Sequence, residues 1–149
     1  MITNVAAVTV FNGRTDKTTR RKIYIPTVIR GVSCVEAKGA TVANNGVWSD
    51  DVQYKIRIPV TADFQNHRLY LPEREYGTLD NVEAEKYWTI QKEDTLVLSE
   101  YQEKASLLYE DEISEYVRTH GLELIRIKEY ADDTYGGSPY LKHWRIGGK

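Results

Sequence analysis

Apolar and polar positions alternate with period two along most of the chain, the signature of strands that bury one face. The pattern is cleanest at Asp51–Val60. There Val52, Tyr54, Ile56 and Ile58 fall on one face, and Gln53, Lys55 and Arg57 on the other. This predicts a half-exposed antiparallel strand, stopped by Pro59. Glu85–Ser99 predicts a β-hairpin around which the rest is organised. In it Trp88, Ile90, Leu96 and Leu98 share one face across a polar turn at Lys92-Glu93-Asp94. Asn4–Phe11 reads as a first strand ended by the turn pair Asn12-Gly13. Lys22–Lys38 reads as a long extended segment, with Pro26 marking an edge or bulge and Gly31 a bend. Asn45-Gly46 is a hairpin-turn signal. Leu122–Tyr130 and Pro139–Ile146 complete the strands, and Gly147-Gly148-Lys149 reads as a loose tail.

A period near 3.6 is found once, at Leu107, Leu108, Ile113, Tyr116 and Val117, and predicts one helix within residues 103–120. Ser106 or Asp111 is placed to cap its start, and Gly121 to end it. Thr61–Ala84 has no period of its own. So long a loop is either a surface excursion or a functional segment that contacts a partner or lines a channel. The expected architecture is mainly β: an antiparallel barrel or sandwich with one short helix and a long loop, as a single domain over residues 1–149.

Composition narrows the function classes. Eleven tyrosines and three tryptophans against two phenylalanines favour sheet surfaces and interfaces over a phenylalanine-packed interior. A net charge of -2 supplies no general attraction to nucleic acid or to an anionic membrane. The one local exception is the basic run Arg14, Lys17, Arg20, Arg21 and Lys22, which is either a solvated loop or a patch for an acidic partner or nucleic acid. A single cysteine, Cys34, excludes an intrachain disulfide and a multi-cysteine metal site, and its apolar neighbours predict a buried thiol. No signal peptide and no run near the ~20 apolar residues that span a bilayer are found, so a soluble protein made in the cytoplasm is expected.

Catalytic signatures are missing: no HExxH, nucleophile elbow, P-loop or dinucleotide fingerprint occurs. The histidines, His67, His120 and His143, are scattered. The acids Glu110, Asp111, Glu112 and Glu115 suit the start of a helix, where they complement its dipole. Asp132-Asp133 before Gly136-Gly137 is a poor calcium-loop match. No enzyme activity, catalytic residue, metal or cofactor is expected.

The ending from Gly137 to Lys149, Gly-Ser-Pro-Tyr-Leu-Lys-His-Trp-Arg-Ile-Gly-Gly-Lys, resembles that of a family of small minor capsid, or head–tail connector, proteins of tailed phages and prophages of Gram-positive bacteria. The opening Met1-Ile2-Thr3-Asn4 with Val8–Asn12 is similar to the same family. So are Tyr24–Gly31, Ile56-Arg57-Ile58-Pro59 with Ala62-Asp63-Phe64, and Tyr87–Ile90. The resemblance covers nearly the whole chain and departs at the turn Glu93-Asp94 and in the length between Glu100 and Gly121. It implies a head-completion, or stopper, subunit of the virion neck, assembled in the host cytoplasm as a hexameric or dodecameric ring of identical chains. Such a ring would join portal or adaptor proteins to tail-terminator or tail proteins and close the DNA channel, with no membrane partner. On this reading Phe64, His67, Arg68, Tyr70, Arg74 and Tyr76 are candidates to face the channel DNA from the long loop. Tyr54, Arg57, Tyr140 and Arg145 are candidate interface anchors. A tail-completion or terminator protein is the rival in the same class. A virion carbohydrate-binding module is the rival in another, and would need Trp48, Trp88 and Trp144 exposed together.

Overall fold

A computed structural model describes residues 2–42, 48–135 and 142–149, with the backbone alone at 2–6, 37–42 and 48–52. The expected turn at Asn45-Gly46, and Tyr140, lie outside the described residues. The elements in chain order are β1 (Ile2–Thr15), β2 (Lys22–Val42), β3 (Trp48–Pro59), β4 (Asp63–Phe64), β5 (Leu69–Tyr70), α1 (Glu73–Gly77), α2 (Asn81–Ala84), β6 (Tyr87–Trp88), β7 (Thr95–Val97), α3 (Glu110–His120), β8 (Ile125–Asp133) and β9 (His143–Gly148). Among the described residues no helix is long and apolar enough to cross a membrane.

The long strands close on themselves. β1 pairs with β2, β2 with β3, β3 with β9, β9 with β8, β8 with β7 and β7 with β1, all antiparallel. The result is a six-stranded barrel, the mainly β architecture that the alternation predicts. β2 makes this possible because it is long enough to pair with β1 through Lys22–Val35 and with β3 through Ser33–Val42. Gly31, at φ 87°, stands where β2 changes its second partner from β4 to β3. A glycine takes that left-handed conformation without a steric penalty.

The barrel is filled by its own side chains. Val8, Val10, Ile29, Cys34, Ile56, Ile58, Leu96, Ile125, Ile127 and Ile146 point into one core with Trp88 and Ile90. Tyr54, Ile56 and Ile58 are buried and Gln53, Lys55 and Arg57 exposed, as their alternation requires. Cys34 is buried, and burial pushes its thiol up. A second cluster lies outside β1, β2 and β7, where Phe11, Tyr24, Val97 and Leu108 pack with Ile113 of α3. Thr9 anchors this layer: its hydroxyl donates to the Ser99 carbonyl at 2.6 Å and accepts from the Tyr101 N–H at 2.9 Å. α3 starts at Glu110 after Tyr109, so neither Ser106 nor Asp111 is its cap, and it ends at Gly121 in the left-handed conformation (φ 63°).

Three local expectations are corrected. Asn12-Gly13 does not end β1, which runs on to Thr15 paired with β2. Gly147-Gly148 is no loose tail but the end of β9, paired with β3 and β8. Glu85–Ser99 is not a hairpin. Tyr87–Trp88 pairs in parallel with Leu69–Tyr70, while Thr95–Val97 joins β1 and β8. The reason lies in Asn12, whose carboxamide takes the place of a strand partner. It donates to the Thr89 carbonyl at 2.6 Å and accepts from the Thr89 N–H at 3.1 Å. With its backbone satisfied that way, the segment after Trp88 crosses to the other side of the core. Its apolar face holds: Trp88, Ile90 and Leu96 are fully buried and Leu98 packs against them.

Candidate functional site

The segment from Thr61 to Ala84 works as a cover for one edge of β2. From Tyr24 to Val28 that edge has β1 on one side and no long strand on the other. Exposed edges of this kind invite pairing with other chains. Here side chains and short backbone pairings close it one group at a time. Tyr24 exchanges both backbone hydrogen bonds with Leu108 at 2.8 Å. Arg68 donates to the Pro26 carbonyl and to the Thr27 hydroxyl, each at 2.7 Å. Gln65 accepts from the Val28 N–H at 2.9 Å. β4 then pairs with Ile29 and Arg30. Arg14 holds the far end of the segment through Asn81 at 2.9 Å and the Leu79 carbonyl.

This overturns the expectation that Arg68 and Tyr76 face channel DNA from the long loop. Arg68 is 8% exposed and Tyr76 is fully buried against Ile25 and Ala84, so neither reaches a channel. Burial also pushes the Arg68 guanidinium below its ordinary value and the Tyr76 phenol up to about 12. Phe64 and Tyr70 are half-buried and close the barrel at one end over the two indoles. Phe64 stacks on Trp88 at 5.3 Å, and Tyr70 meets Trp88 at 5.2 Å and Trp144 at 5.0 Å. Burial pushes the Tyr70 phenol strongly up. His67 and Arg74 are exposed and stay available to a partner. Trp88 and Trp144 are both buried, so they present no open stacking face to a sugar.

Of the expected interface anchors, Tyr54 is buried and donates from its hydroxyl to Glu123 at 2.5 Å, so it does not serve as one. That bond and burial push its phenol up to about 12. Arg57 and Arg145 are exposed and stand directly opposite each other on β3 and β9. They continue a row across four strands, with Ser33 on β2 and Ala131 on β8. The next outward row is Val35, Lys55, Gly147 and Glu129. Together the rows line a groove of about 550 Å³ in which Lys55, Arg57 and Arg145 outnumber Glu129. Asp133 partly neutralises Arg145 at 2.6 Å. Two like charges placed directly opposite on a sheet repel each other, so the pair Arg57/Arg145 costs the isolated chain stability.

The other charged face is acidic. Glu103, Asp111, Glu112 and Glu115 line a groove of about 670 Å³ beside α3, with Lys104 and His120 in it. Glu112 accepts from the Tyr109 N–H at 3.0 Å, and Arg118 pairs with Glu115, lowering the Glu115 carboxyl and raising the guanidinium. The acids start the helix, as their sequence position implies.

One buried titratable group was missed because local chemistry marks it as a turn residue. Asp94 is 3% exposed. It accepts from Gln91 at 2.7 Å, from the Gly13 N–H at 3.2 Å and from Asn12 at 3.4 Å. Burial outweighs these donors and pushes its carboxyl up to about 6. Its donors tie β1 to the crossing segment, so the arrangement acts as a structural clasp. Among the described residues no three or more His, Cys, Asp or Glu side chains are grouped to hold a metal.

No curated protein and no solved structure matches the chain. A family model described as a family of unknown function (DUF6751) matches residues 2–149. That span takes in the barrel, its edge cover and both charged faces, and the chain belongs to the DUF6751 family.

Proposed function

We propose that this chain is a structural virion protein of the phage neck, a head-completion ring subunit that joins portal or adaptor proteins to the tail and helps to close the DNA channel. The observation that carries the reading is the resemblance of its opening, its middle strands and its ending to head–tail connector proteins. The architecture is compatible with that role in a specific way. Among the described residues the barrel is filled by its own side chains, so its surfaces are what it offers to partners. In this reading the exposed His67 and Arg74, not Arg68 or Tyr76, are the members of the long segment that can meet channel DNA. Arg57 and Arg145 stay as contacts to a neighbour.

The test is deletion of the gene from a phage or prophage that encodes this chain, with complementation by the wild type. Head completion requires filled heads that lose their DNA and carry no tail. Heads that keep their DNA beside unattached tails of irregular length would assign the tail-completion role instead. Normal infectious particles lacking the chain would overturn both.

A further inference from the structure

We propose that copies of this chain associate head to tail, the acidic ridge of α3 in one copy seating on the basic β3–β9 face of the next. This deepens the ring reading above and rests on it for its biological setting, though not for its physical argument. The strand circuit places β9 across the barrel from β1, and β3 across from β7. α3 packs outside β1, β2 and β7, Ile113 sharing one cluster with Phe11, Tyr24 and Val97. The acidic ridge and the basic face therefore occupy different parts of the barrel wall, and among the described residues no ion pair joins them: Glu115 pairs with Arg118 and Arg145 with Asp133.

Each face carries an excess of one sign. Lys55, Arg57 and Arg145 stand against Glu129 in the sheet groove, while Glu103, Asp111 and Glu115 stand against Lys104 beside the helix. The Arg57/Arg145 repulsion is relieved when an acidic side chain of a second copy comes between them. Because the two patches differ, the contact is heterologous: it adds copies in one direction and closes into a ring or extends as a filament according to the angle between the faces. A second copy suits the sheet groove better than DNA does. Glu129 sits inside the groove and Asp133 already engages Arg145, and a second copy brings Lys104 among its acids to meet such carboxylates, which a row of phosphates does not.

Sedimentation equilibrium of the purified chain tests this. Association is expected at about 20 mM salt and should be lost by about 500 mM, where surface charges are screened. Arg57→Glu with Arg145→Glu, or Asp111→Lys with Glu115→Lys, should each weaken it at least about ten-fold, and an equimolar mixture of the two variants should restore it. Circular dichroism checks that both variants are folded. Zero-length carbodiimide coupling of mixed heavy- and light-isotope wild type supplies a second measurement independent of substitution. It should join Lys55 of one copy to Asp111 or Glu115 of another. A wild type without those inter-copy links, or a mixture that fails to restore association, overturns the proposal. So does duplex DNA that binds the wild type and not the Arg57→Glu, Arg145→Glu variant. A chain that associates in this way but is absent from virions would retire the neck reading and leave this one standing.

Discussion

Asp94→Asn isolates the electrostatics of the clasp. The folded carboxyl titrates at about 6 against an ordinary 3.8, so over that interval the native state holds a proton that the unfolded chain has released. Stability must then fall as pH rises from about 4 to about 6, and level off above it. At about 1.36 kcal/mol for each pKa unit, the gap corresponds to about 3 kcal/mol lost by pH 7. Asparagine stays neutral and escapes that loss. It also turns one amide N–H₂ toward donors, with Gln91 at 2.7 Å the closest, at a pH-independent cost of about 1–2 kcal/mol. The wild type should therefore be the more stable protein near pH 4, and the variant should match or exceed it at pH 7. Urea unfolding followed by tryptophan fluorescence at unit pH steps from 4 to 8 reads both curves. Other titrating groups are common to the two proteins and cancel in the difference. A difference that stays constant across the range would refute the reasoning and show that the three donors hold Asp94 ionised without penalty.

The remaining predictions concern packing and the edge cover. Trp88→Ala should cost about 3–5 kcal/mol in denaturant unfolding, because the indole is fully buried between Phe64, Tyr70 and Trp144. Asn12→Ala should cost about 2–4 kcal/mol by the same assay, since it leaves both the N–H and the carbonyl of Thr89 buried without their partner. Removing residues 65–80 should abolish cooperative thermal unfolding, since it takes away Arg68 and Tyr76 and bares the β2 edge; a sharp transition near the wild-type midpoint would show that the segment is a surface excursion.

Local chemistry was sufficient wherever a residue's role depends on its neighbours in sequence. Alternation at Gln53–Ile58 determined which side chains enter the barrel, because successive strand residues must face opposite ways. Gly121 was legible as the helix end because only its own backbone conformation is involved. The exposure of Arg57 and Arg145 follows from the same alternation, but their standing opposite each other does not: it needed the register between β3 and β9. Period two says which face a residue takes and nothing about which strand lies beside it. That is why Trp88, Ile90 and Leu96 were recognisable as core while their hairpin was not. Asn12, Arg68 and Asp94 were unreadable for one shared reason. The partners of Asn12 and Arg68, and all those of Asp94 but the nearby Gln91, lie from 41 to 82 positions away, so only closure of the barrel brings them together. The segment Thr61–Ala84 shows no period because it meets β2 through isolated side chains and two-residue pairings, a task that the tertiary structure alone defines.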